Sequence, residues 1–405
     1  MVRPSRRGIG LILGALILFL IGTNIQAGWL FVLASLMSGA VVAGLVAPFS
    51  VVRKVAVERR APPDAHAGDD VPVDLVVTNP TRRTRVALTV RDEHIAPCTA
   101  FISSIEPGET VIAGTVRHAD RRGIVDSTSV VVSSGAPFGA GKAKKSIEAP
   151  GRTVIYPRVV PISHLPELAS ASKPLYTATV QARKGAGHDY LGIREYQLGD
   201  SLRHVHWPSS AHHRWLMVRE FEQELPRRLG VVVDTSGDTA GDETALDLCC
   251  SVAGSIVVYA LSAGHPVSMT AGRQGILDHI AGSGRVEALT WLAGLRAPGG
   301  MPMADAVLQS APLLGRLDTV VVVLPTWRAN GARSLLDSLA GYARMHVVAA
   351  LVEAHTFFSP APGAQPLSPE ETDELARGLA GSGMSIYRIR SDGDLALALE
   401  APWAT

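Results

Sequence analysis

Leu229-Gly230-Val231-Val232-Val233-Asp234-Thr235-Ser236-Gly237-Asp238 decides the reading of the C-terminal half. Five small or apolar residues run into a carboxylate and two hydroxyls. That is the pattern of a strand buried on both faces that ends in a polar turn. Strands are expected again at 267–270, 319–324, 346–352 and 385–389. Helical stretches are expected near 243–262, 286–295, 304–313, 332–343 and 369–380. Such alternation argues for an α/β domain over 228–405, with a mostly parallel sheet between helices. Ligands of these sheets sit beyond the carboxyl ends of the strands, where Asp234 stands.

The other end of the chain has a different character. Residues 8–52 hold no Asp, Glu, Lys, Arg or His. A membrane helix needs about 20 apolar residues, so the stretch fits two helices, near 9–22 and 28–49. The polar cluster at 23–27 is the expected turn, and Trp29 falls at the interface, where aromatic residues are favoured. Arg3, Arg6 and Arg7 precede the stretch, and Arg53, Lys54, Arg59 and Arg60 follow it. Positive flanks on both sides predict a multi-pass protein of the plasma (inner) membrane with its soluble parts in the cytoplasm. A competing reading is a cleaved signal peptide ending at Ile25-Gln26-Ala27. In either reading the second helix leaves the chain after Arg53 on the cytoplasmic side.

This anchor over 1–52 accounts for much of the 47% hydrophobic content, high beside 19% charged residues. A formal net charge of +1 gives no field favouring nucleic acid. Three cysteines, Cys98, Cys249 and Cys250, imply no disulfide framework. The 249–250 pair reads as small buried hydrophobes.

Residues 53–150 carry short β-branched runs at 71–77, 86–90, 110–116 and 128–132, separated by Asn79-Pro80 and Glu106-Pro107-Gly108-Glu109. That spacing argues for a β-sandwich-like domain. Ala136-Pro137-Phe138-Gly139, the basic patch Lys142, Lys144 and Lys145, and Tyr156-Pro157 read as a turn and a linker into the next unit.

Residues 151–227 are expected to be a linker and a motif segment. The motif runs Gly192-Ile193-Arg194-Glu195-Tyr196-Gln197-Leu198-Gly199-Asp200-Ser201-Leu202-Arg203-His204-Val205-His206-Trp207. It resumes after Ser210-Ala211 with Val218-Arg219-Glu220-Phe221-Glu222. Five of the 13 histidines, His188, His204, His206, His212 and His213, fall between 183 and 222. Three readings stand open: a histidine metal site, Arg–carboxylate pairs holding an irregular segment, and a partner-binding surface. No residue here is assigned a catalytic role.

These residues resemble the bacterial family called domain of unknown function 58. Its members carry a run close to R-E-Y-x-x-G-D-x-x-R-x-I-D-W, then S-A-R, then V-R-x-F-E. Arg194, Glu195, Tyr196, Gly199, Asp200, Arg203, Trp207, Ser210, Ala211 and Arg219 match it, as do the Pro137-Phe138-Gly139 turn and the N-terminal hairpin. His206 stands where the family carries Asp, and His212 where it carries Arg. The resemblance implies a C-terminal half like the von Willebrand factor A domain. Asp234, Ser236 and Asp238 then resemble that domain's D-x-S-x-S metal motif, and could hold one side of an Mg²⁺ shell. Met301 stands where its threonine ligand belongs, and Pro325-Thr326 brings no carboxylate, so a degenerate site and no required cofactor are expected. The resemblance also implies a partner, a MoxR-type AAA+ ATPase. The expected function is that of a membrane-anchored adaptor rather than an enzyme. The alternative is a metal-dependent hydrolase using Asp234, Asp238 and the central histidines. No phosphate loop, G-x-G-x-x-G, H-E-x-x-H or G-x-S-x-G is present.

Overall fold

A computed structural model describes residues 2–92, 98–169, 184–197, 200–213, 215–222, 227–235, 240–297, 305, 307, 310–326, 346–357 and 367–403. It divides into two units, Met1–Arg158 and Val159–Thr405.

The first unit begins with a short strand, β1 (Val2–Pro4), and two helices, α1 (Arg6–Ile25) and α2 (Gly28–Val52). Ser5 caps α1 by accepting from the Gly8 amide at 3.0 Å. Gln26 in the left-handed region ends it. The expected turn at 23–27 shrinks to Gln26-Ala27. Thr23 is helical, its hydroxyl donating back to the Leu20 carbonyl at 2.7 Å. Both helices are long and apolar enough to cross a membrane, and most of each is open to the surroundings (17% and 22% buried).

Eight more strands follow: β2 (Ala56–Arg60), β3 (Asp64–His66), β4 (Asp70–Thr78), β5 (Arg85–Asp92), β6 (Cys98–Ile105), β7 (Thr110–His118), β8 (Gly123–Ser134) and β9 (Gly141–Tyr156). One sheet runs β1-β9-β8-β5-β6 with β3 beside β9, and the other runs β2-β4-β7. In β4, Val71, Val73 and Leu75 point inward while Asp70, Pro72 and Asp74 face out, the period of a strand with one buried face. Both sheets and the last turn of α2 contribute to one core, including Val52, Val57, Leu75, Leu88, Ile105, Val130 and Ala149. That is the two-layer arrangement of a sandwich. A buried ion pair lies within it. Arg59 donates to Asp92 at 2.7 Å and to the Ser127 hydroxyl at 2.8 Å, and it also reaches the Ala149 carbonyl.

β9 corrects the linker expected around 137–157. Lys142, Lys144 and Arg152 lie on its outer face while Ala143, Ala149 and Thr153 face inward. The strand pairs with β8 along most of its length.

In the second unit the α/β sheet contains β12 (Leu229–Val233), β13 (Val267–Thr270), β14 (Ile276–Ile280), β15 (Thr319–Pro325), β16 (His346–Val352) and β17 (Ser385–Ile389). Their order is β14-β13-β12-β15-β16-β17, parallel except for β14. This is the order of an open doubly wound sheet, with the direction of winding reversing between β12 and β15. All of β12 and nearly all of β15 are buried, which is why both read as unbroken apolar runs. The antiparallel edge strand β14 was not expected.

Helix α5 (Ala240–Ser262) packs on β12, β15 and β16. Its apolar stretch is also long enough for a membrane, but 67% of that window is buried within the unit, including Cys249 and Cys250. It serves as a core helix. Helices α6 (Arg285–Gly294), α7 (Ala311–Leu314), α8 (Pro369–Gly381) and α9 (Leu395–Glu400) complete the described layers. The helix expected at 332–343 lies outside the described residues.

The part of the expected linker after Arg158 belongs to this unit as well. The short helix α3 (Pro166–Ala169) presents Glu167, which accepts from the buried Tyr387 hydroxyl at 2.6 Å. The Glu167 carbonyl accepts from Arg227 at 2.9 Å, and the Val160 amide donates to Ser255 at 3.0 Å. Burial, then the Glu167 carboxylate, pushes the Tyr387 phenol well up.

Candidate functional site

The motif segment forms a two-stranded ribbon, β10 (Lys184–Glu195) and β11 (Met217–Glu222). Arg194 faces Val218 and Glu195 faces Met217. Between the strands the chain makes an excursion through a 3₁₀ turn at Leu202–His204 and helix α4 (Trp207–His213).

A latch closes the excursion. Arg194 grips Asp200 with both terminal nitrogens, at 2.6 and 2.7 Å, and also donates to the Glu195 carbonyl. The Gln197 amide donates to the same carboxylate at 2.8 Å, and the Asp200 amide returns to the Gln197 carbonyl. The Arg194 guanidinium and the Gln197 amide hold the Asp200 carboxyl at about 2, well under its ordinary value. Bidentate pairing of this kind fixes direction as well as distance.

A second set of contacts ties the far side down. The Tyr196 amide donates to the Leu216 carbonyl and the His206 amide to the Met217 carbonyl, both at 2.7 Å. The Ser210 hydroxyl donates to the His206 carbonyl at 2.9 Å and accepts from the Met217 amide at 2.8 Å. Val205 and Val218, bridged across the excursion, are its buried centre. His206 caps α4: the Ser209 amide donates to its Nδ1 at 3.3 Å, and the Ser209 hydroxyl lies 2.8 Å from the same nitrogen. An Asp in this position would cap by the same geometry, so His206 fills the same role through Nδ1.

Pinned in this way, the excursion turns large apolar side chains outward. Leu202, Trp207, Trp215 and Leu216 are 64%, 67%, 69% and 41% exposed. Arg203, His204, His212 and Arg219 are exposed beside them, Glu195 is exposed and Tyr196 half-buried. Ser201 to Arg219 contains no Asp or Glu, but holds Arg203, Arg214 and Arg219. Trp215 and Leu202 were not singled out from sequence. The available signal was two tryptophans and two leucines in an acid-free run. Gly199 lies outside the described residues, and so does the side chain of His213. Among the described residues no group of three or more His, Cys, Asp or Glu gathers as a metal site.

The other candidate is the crevice where the sheet order reverses. Asp234, half-buried, donates its amide to the Val323 carbonyl at 3.0 Å, which extends the β12–β15 ladder by one residue. The neighbouring Thr235 hydroxyl donates to the Ala271 carbonyl at 3.3 Å. Ser236, Asp238 and Met301 lie outside the described residues. Thr326, just past β15, is buried, and its hydroxyl has no hydrogen-bond partner among the described residues.

Residues 192–292 match a family model described as "Protein of unknown function DUF58". The match runs from the end of β10, through the latch, to α6. No curated protein matches the chain. Among solved structures it is similar to two of a GH20 exo β-N-acetylglucosaminidase from Vibrio harveyi. One is the complex with N-acetylglucosamine (6% identity, TM-score 0.21), and the other an inactive mutant (7% identity, TM-score 0.21). Each covers 84% of this chain and 82% of that one. Likeness this low carries no argument about fold or activity.

Proposed function

We propose that this chain, whose residues 192–292 match the DUF58 family model, is a membrane-anchored adaptor whose latch segment docks a soluble protein partner. The observation that carries this is the pair of outward tryptophans on a segment held by hydrogen bonds and one bidentate ion pair. Isolated apolar side chains on a surface need no explanation, but two exposed tryptophans with exposed Arg203 and Arg219 on one short segment have the composition of binding hot spots. The acid-free run around them calls for an acidic face on the partner.

The MoxR-type AAA+ ATPase implied by the family resemblance is the partner we assign. Positive residues on both sides of the helix hairpin support a cytoplasmic location, where such an ATPase works. The sheet order, the antiparallel edge strand β14 and the run from Asp234 to Asp238 support reading the α/β unit as von Willebrand factor A-like. Direct binding between the full-length chain in detergent and the purified ATPase of the same cell tests the proposal. Saturable binding is expected. Failure to bind at micromolar concentrations, with and without nucleotide, overturns the assignment.

A further inference from the structure

We propose that the base of the helix hairpin is a binding site for anionic phospholipid headgroups, formed by Arg6, Arg7 and Lys142, with Phe138 at the acyl boundary. The proposal rests on reading α1 and α2 as membrane spans.

Packing within the first unit marks where the bilayer ends on one face of the hairpin. The turn between β8 and β9 is wedged across both helices. A methyl group on Gly8 would overlap the Ala140 carbonyl, and one on Gly44 would lie 2.7 Å from the Ala140 Cβ. One on Gly141 would lie 2.8 Å from the Gly44 carbonyl oxygen. The Ser5 amide donates to the Ala140 carbonyl at 2.9 Å, and the Ser5 hydroxyl reaches the Gly139 carbonyl. Past Gly44, α2 continues into the sandwich, where Val51 and Val52 join the core. On the face that carries this turn, lipid therefore reaches α1 only from about Gly8 onward and α2 only up to about Gly44. At ~1.5 Å per residue each span is about 26 Å long, close to the ~30 Å hydrocarbon core of a bilayer.

Cations collect at that level. Arg6 and Arg7 are exposed in the first turn of α1, which holds no acidic residue. Strand pairing sets the backbone of Arg3 directly opposite Lys142, which keeps this part of β9 at the base of α1. Lys142 is exposed, and Lys144 follows it on the outer face of β9. Among the described residues, Arg6, Arg7 and Lys142 make no ion pair. Phe138, at the tip of the wedged turn, is 54% exposed. Unmatched cations ringing a span, with an apolar ring beside them, fit a lipid phosphate above and an acyl chain below.

The test uses the full-length chain in uncharged detergent, followed by thermal unfolding. Added phosphatidylglycerol should raise Tm by about 3 °C, while equal phosphatidylcholine or inorganic phosphate should not. The triple variant Arg6→Gln, Arg7→Gln, Lys142→Gln should lose that shift. Equal shifts from the two lipids, or an unchanged shift in the variant, overturn the site. A phosphate shift as large as the phosphatidylglycerol shift overturns the lipid assignment. Should the variant fail to fold, native mass spectrometry of the parent after exposure to an equimolar lipid mixture decides. Preferential retention of phosphatidylglycerol is expected, and equal retention overturns the site. A chain that stays in solution without detergent sinks the membrane reading and the site together. A detergent-requiring chain without lipid preference sinks the site alone.

Discussion

Replacing Trp207 and Trp215 with serine should abolish partner docking without unfolding the chain. A Trp side chain can bury up to about 250 Å². With 67% and 69% of these residues still open, each has at most roughly 170 Å² left to cover. At ~25 cal/mol per Å² that is about 4 kcal/mol each, an upper bound because association also costs side-chain and rigid-body freedom. Truncation of a hot spot commonly costs about 2 kcal/mol or more. The expected loss is therefore about 2–4 kcal/mol per tryptophan, or roughly 30- to 1,000-fold in Kd. Stability should change by no more than about 0.5 kcal/mol, since neither ring supports a core. Biolayer interferometry with immobilised full-length chain, alongside a thermal unfolding control, measures both. If the double variant binds the ATPase within threefold of the parent, the latch is not the docking surface.

Four further outcomes are expected. Asp92→Ala leaves the Arg59 guanidinium buried without its carboxylate, which should cost about 3–5 kcal/mol; a loss under about 1 kcal/mol by thermal unfolding contradicts the buried pair. Asp200, held at about 2 against an ordinary 3.8, favours the closed latch above pH ~4 and loses that contribution as pH falls towards 2. Pepsin cleavage within 196–216 should accordingly rise across that window, and Asp200→Asn should be cut equally at both ends of it. Reporter fusions at Thr405 and at the Gln26-Ala27 turn should report cytoplasm and periplasm respectively, and the reverse result rejects the topology. Calorimetric titration of the full-length chain with Mg²⁺ should show no micromolar binding; binding that vanishes in Asp234→Ala would restore a working metal site.

The α/β sheet was legible where burial on both faces removed every polar residue, as in Val320 to Leu324. It was illegible at β14, where Asp278 and His279 stand in an edge strand and only a local hairpin sets the register. β9 was missed for another reason. Its inward face is built largely from Ala143, Ala149 and Thr153, so the period of two is present but carried by residues with little strand signal. In the motif, the charges of Arg194 and Asp200 could be read, but not that a turn would bring them together. The exposure of Trp207 and Trp215 is a tertiary fact. A tryptophan among few other aromatics reads as core until the fold shows what surrounds it.

The latch has a physical design that bears on what it is for. Arg194 and Asp200 are partly open to water, and pairs of that kind add little to global stability. Among the described residues, the excursion's buried centre is Val205 and Val218. Its geometry is instead set by directional bonds: two from one guanidinium, the reciprocal pair between Gln197 and Asp200, and the Ser210 hydroxyl serving both sides of the gap. Directional bonds without a core hold orientation at low cost in buried surface. A segment selected mainly for folding would turn Trp207 and Trp215 inward and gain their burial. Holding them outward forgoes that gain, and a partner that covers them recovers it.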